Sequence, residues 1–198
     1  MRQTSPTTLA VADAIACSRR TRDLTQDELA YLVSLHGFEI SPDAIGDIEG
    51  AQRPTTVDEL FAIAHVLDVS PALLLSHVPA DSERPEGAPI ATGLPPDLVP
   101  AELSEWVVGH ILLDDESRLR WWQDQKVRLD ILTTHLEEQL EGARAELRDL
   151  GELAAQEADS APIERLIARI RDAELAVHDI ERAHVAVDMR LDELLGLE

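Results

Sequence analysis

Through most of this chain apolar residues return every third or fourth position, the period of a helix with one buried face. Polar start and stop signals cut the pattern into pieces, and residues 1–78 resolve into five short helices. The first runs from about Thr8 to Thr21, with Val11, Ile15 and neighbouring alanines inward. Thr25 with Glu28 three residues on is a capping box, in which a hydroxyl and a carboxylate satisfy free N–H groups at a helix start. It opens a second helix that buries Leu29, Ala30, Leu32 and Val33. Ser41 before Pro42 is another start signal, since proline suits a first helical turn. The third helix turns Ile45 and Ile48 inward and ends near Gly50, and Val57–Leu67 and Pro71–Leu75 complete the set.

The pattern then changes twice. Residues 79–100 hold six prolines with Gly87 and Gly93, which predicts an extended linker without a core of its own. Residues 101–198 return to helix. A stripe of Leu103, Trp106, Val107, His110 and Ile111 starts after Pro100, placed to dock with Trp121 and Trp122. From Leu119 the spacing alternates three and four through Trp122, Leu129, Leu136, Leu140, Ala143, Leu147 and Leu150, with Lys126 and Thr133 weakening the series. A second run, Ile163 through Leu194, is cleaner and lasts about five heptads, the mark of a coiled-coil seam. Between them lie Ser160, a cap, and Pro162, so the two arms fold back antiparallel, each about 55–60 Å long at 1.5 Å per residue. Ile131, Leu132, Ile167 and Leu195 fall outside the seam and suit a four-helix dimer interface. The expected fold class is therefore all-α: a five-helix domain (1–78), a Pro-rich linker (79–100) and a helical hairpin (101–198) for dimerisation or partner binding.

Charge changes the picture. The chain carries 17 Lys+Arg against 39 Asp+Glu, a net of −22. Residues 1–78 net −6 and residues 101–198 net −13. The single cysteine, Cys17, excludes an intrachain disulfide and is expected as a small buried side chain of the first helix. No stretch approaches the length of a membrane span, so no membrane partner and a cytoplasmic location are expected. The sequence holds no Gly-rich phosphate loop, no His-Glu-x-x-His and no Gly-x-Ser-x-Gly. His178 and His184 lie six apart, off metal-ligand spacing, and His184 falls in the seam. No enzymatic activity, cofactor or metal site is expected.

The stretch from Leu24 to Leu75 carries the functional signal. Arg19, Thr25-Gln26 with Glu28-Leu29-Ala30, Ile48-Glu49-Gly50, Pro54, and Leu60, Ile63, Ala64, Leu67, Val69, Ser70 and Leu74 arrive in one order. That ordered set resembles the helix-turn-helix domain of the lambda-repressor-like (Cro/Xre) transcription regulators, over about a third of the chain. The resemblance implies double-stranded DNA as partner, with the third helix in the major groove. By it, Gln26, Ser41, Asp43, Ala44 and Asp47 face the groove, and Arg53 and Thr55 contact the backbone. Arg19 pairs with Glu49 as an architectural link between helices one and three.

Two features depart from the family. The connection Ser34–Ile40 is several residues longer than in its shortest members, and is expected as a surface insertion. None of the groove-facing residues is basic. Base reading most often uses Arg or Lys on guanine and Asn or Gln on adenine, whereas Asp can only accept, chiefly from the cytosine amino group. The low positive charge predicts weak non-specific affinity, because that affinity comes largely from neutralised phosphates. The expectation is a sequence-specific regulator, homodimeric through residues 101–198, with a protein partner possible on the acidic arm. The alternative is an acidic protein-interaction adaptor whose helix-turn-helix domain no longer binds DNA strongly.

Overall fold

The computed structural model describes residues 4–79, 87–154 and 161–197; within these, side chains are described except at 151–154 and 162. The regular elements of the described residues are all helices, with no strand among them. They divide into two compact units that meet in sequence at Leu113 and Asp114.

The first unit begins with α1 (Pro6–Thr21), α2 (Gln26–Leu35), α3 (Pro42–Glu49), α4 (Val57–Val66) and α5 (Pro71–Leu75). Each opens on a hydroxyl N-cap: Ser5, Thr25, Ser41, Thr56 and Ser70. Proline in the first turn of α1, α3 and α5 loses no helical hydrogen bond, because that N–H has no partner in the helix. Three of the helices stop the same way. Asp23, Ala51 and Asp68 take φ of 54°, 50° and 47° just past α1, α3 and α4. The next amide in each case reaches back to close the last turn: Leu24 to Arg19, Gln52 to Asp47 and Val69 to Ala64. This left-handed stop is usually glycine. Here the stop after α3 falls on Ala51, while Gly50 keeps a φ of −81°.

One face of each helix builds the core. Ile15, Leu29, Val33, Ile45, Ile48, Ile63 and Leu67 are completely excluded from solvent there. The connection between α2 and α3 differs from a plain surface insertion, since Phe38 and Ile40 pack against this core. Cys17 also differs from expectation, because it is exposed. The apolar face of α1 is set by Val11, Ala14 and Ile15. Two residues beyond Ile15, a 100° step per residue carries Cys17 to the outer face, beside Asp13.

Residues 87–113 are a second departure. Ile90, Ala91 and Leu98 are buried with Leu103, so this stretch has a small core where an extended linker was expected. Two turns shape it, closed by the Leu94 amide to Ala91 and the Leu98 amide to Pro95. Thr92 donates its amide to Thr7 Oγ1 at 2.8 Å, which ties the segment to the start of α1. It continues into α6 (Pro100–Val107), whose Leu103 faces this core while Trp106 and His110 are exposed. The part of the expected linker at residues 80–86 lies outside the described residues.

The second unit pairs α7 (Asp115–Ala154) with α8 (Ala161–Leu195). Cross-helix pairs run Lys126 with Asp188, Thr133 with His184 and Arg144 with Glu174. Numbers rise on one arm as they fall on the other, so the arms are antiparallel. Trp122, Ala143, Leu166, Ile180, Val187 and Leu191 are buried along the seam. Thr133 donates its hydroxyl to the Leu129 carbonyl, and so accepts from the His184 Nε2–H at 3.2 Å. Ile131, Leu132, Ile167 and Leu195 are exposed. The predicted cap Ser160 lies outside the described residues. None of the described helices is long and apolar enough to cross a membrane.

Candidate nucleic-acid interface

The candidate reading surface is the outer side of α3. Its inner side is fixed by Ile45 and Ile48, both fully buried. At its start the Ser41 hydroxyl accepts the Ala44 amide at 3.1 Å, so this side chain closes the helix end. Asp43 and Asp47, one turn apart, are exposed, and Ala44 is half-buried. Two like charges at that spacing slightly disfavour the helix that carries them. The surface α3 offers therefore consists of hydrogen-bond acceptors and small groups, with no cation.

The far end of α3 is held by Glu49. Arg19 of α1 donates to it twice, Nε to Oε1 at 2.6 Å and Nη2 to Oε2 at 2.8 Å. A third guanidinium bond goes to the Leu24 carbonyl. Gln26 of α2 donates Nε2 to Glu49 Oε2 at 2.9 Å. Burial raises the Glu49 pKa, but the hydrogen bonds from Arg19 and Gln26 and the nearby guanidinium charges outweigh it, and the carboxylate titrates below its ordinary range. The same pair raises Arg19 further. Gln26, expected in the groove, is thus half-buried with its amide NH₂ committed to Glu49.

Arg53, expected on the DNA backbone, is committed too. Its guanidinium meets Glu59 through two bonds, Nη1 to Oε2 at 2.9 Å and Nη2 to Oε1 at 2.7 Å. It also donates to the carbonyls of Pro54 and Ala44. Glu59 is the third residue of α4 and accepts the Thr56 amide at 2.8 Å, so one carboxylate both caps α4 and holds Arg53. The Arg53 hydrogen bond is the main reason the Glu59 pKa falls to about 2. Thr55, half-buried, sits next to this cap. Glu59 was not a sequence candidate. Its place three residues after Thr56 is the same capping signal that marks Thr25 and Glu28, but that signal does not point to Arg53, six residues earlier in the loop before α4.

The remaining described cations of the first unit are Arg20, exposed, and Arg22, which donates to the Asp68 carbonyl. Among the described residues no group of three His, Cys, Asp or Glu side chains is placed to hold a metal ion. No protein-family model, no curated protein and no solved structure matches this chain.

Proposed function

We propose that this protein is a sequence-specific DNA-binding transcription regulator that reads duplex DNA with α3 and dimerises or receives a partner through the α7–α8 hairpin, residues 101–113 belonging to the first unit. The observation that carries this reading is the way α3 is presented. Its inner face is buried at Ile45 and Ile48 and its end is clamped by Arg19 and Gln26, while Ser41, Asp43 and Asp47 face solvent. A short helix fixed so firmly with one polar side outward suits insertion into a groove about 12 Å wide. Asp43 and Asp47 then accept from base amino groups, and specificity comes with little phosphate attraction. Binding is accordingly weak to unrelated DNA, and a second copy on a symmetric site adds to the affinity of the first.

A second reading has its own observation. Arg19 and Arg53 are bound up with carboxylates, and α3 shows two acids to solvent. A surface of that kind suits a cationic protein segment, with the hairpin as an assembly arm. Incubating the full chain with sheared genomic DNA at low and moderate salt, then sequencing the retained fraction, separates the two. Reproducible enrichment of a short, two-fold symmetric site supports the regulator. Absence of enrichment at low salt supports the adaptor.

A further inference from the structure

Resting on the DNA-reading proposal, we infer that Gln26 is a positioning residue that sets how α3 is presented, and that Gly46 is glycine to let it do so. Gln26 stands at the first turn of α2, yet its side chain crosses to α3. The amide nitrogen donates to Glu49 Oε2, and the amide oxygen lies over Gly46, where an added Cβ would come within 3.3 Å of it. A glycine inside a helix costs stability because its unfolded chain is freer and it packs no side chain. At Gly46 that cost has a return: the open backbone admits the Gln26 amide flat against α3. Arg19 grips the same carboxylate from α1.

Three helices therefore converge on Glu49, and Gln26 is the link that belongs to α2 alone. Without it, α3 keeps its buried isoleucines but loses the polar tie that fixes its angle to α2. Specific reading needs the side chains of α3 held to a fraction of an ångström, whereas phosphate attraction does not. Loss of Gln26 should therefore fall on specific binding and spare non-specific binding.

The test compares wild type, Gln26→Ala and Gly46→Ala for retention of the genomic DNA site enriched by wild type and of unrelated duplex DNA. Gly46→Ala keeps the glutamine but pushes its amide, and adds a better helix former. The positioning role predicts about a tenfold loss of site retention in Gln26→Ala. It predicts a smaller loss in the same direction for Gly46→Ala, and unchanged retention of unrelated DNA in both. Equal losses on both DNAs for Gln26→Ala, with Gly46→Ala unchanged, would make Gln26 a phosphate contact and overturn the inference. Unchanged site retention in both variants would also overturn it. If wild type enriches no site, the DNA proposal fails, and the brace is judged by amide exchange in α3. Faster exchange across Ala44–Glu49 in Gln26→Ala then supports it, and unaltered exchange overturns it.

Discussion

Replacing Glu49 with alanine removes the acceptor of three side-chain hydrogen bonds at once, two from Arg19 and one from Gln26. The side chains of Arg19 and Glu49 are only 11% and 5% exposed, so solvent cannot take over the vacated partnerships. Breaking a buried pair from one side costs about 3–5 kcal/mol, most of it from the stranded charge. Part of that cost is spared because Arg19 keeps its bond to the Leu24 carbonyl. Taking about 3 kcal/mol and roughly 4 °C per kcal/mol for a domain of about 100 residues, the melting temperature of the first unit should fall by about 12 °C. Calorimetry of the full chain measures this, with amide exchange at Ile15, Ile45 and Ile63 assigning the loss to that unit. A fall of less than about 4 °C would refute the reasoning, because the pair would then be behaving like an exposed one. The double variant Arg19→Met/Glu49→Leu separates the two contributions. It should recover most of the lost stability, since an apolar pair strands no charge.

Acid should weaken the same region in a defined window. Glu59 and Glu49 both titrate below the ordinary value of 4.5, Glu59 at about 2. Their stabilisation is complete above that ordinary value and is lost as pH falls toward 2, which helix content followed by circular dichroism will show. Arg53→Gln should destabilise the first unit by about 1–3 kcal/mol and leave the salt dependence of DNA retention unchanged, whereas losing a true phosphate contact lowers that slope by about one. Ala51→Gly should stabilise it by about 1 kcal/mol in a denaturant titration, because alanine is strained at a φ of 50°. In the hairpin, Leu166→Ala should cost about 2–5 kcal/mol, as exchange rates along α8 will report, because Leu166 is only 3% exposed.

Helix starts were legible in the sequence because capping is local. Thr25 with Glu28, and Ser41 with Pro42, need only residues within one turn of each other. The same logic at Ser5 and Pro6 puts the start of α1 two residues earlier than the apolar pattern suggests. Helix ends were legible as well, since α1, α3, α4 and α5 stop within one residue of the expected positions, although the left-handed stop after α3 falls on Ala51 and not on Gly50. Cys17 was misplaced by the general tendency of cysteines to be buried, although its angle from Ile15 on α1 pointed outward. In residues 87–100 the prolines point to an extended linker. The four-residue spacing of Ile90, Leu94 and Leu98 carries the opposite message, and Pro95 and Pro96 sit in a turn that Leu98 closes rather than in an extended linker. The commitment of Gln26 was not legible, since Glu49 reaches it only when α2 and α3 pack, and that of Arg53 depends on how the loop before α4 folds back on Glu59, six residues on.

The account stands or falls on whether the outer side of α3 meets DNA. Uniformly ¹⁵N-labelled full-length protein titrated at low salt with a random-sequence duplex pool, and then with the enriched site, tests this residue by residue. The account predicts the largest amide shifts at Asp43, Ala44 and Asp47 and at the first turn of α2, growing when the enriched site replaces the pool. Shifts confined to α7 and α8, or none anywhere at low salt, would contradict it.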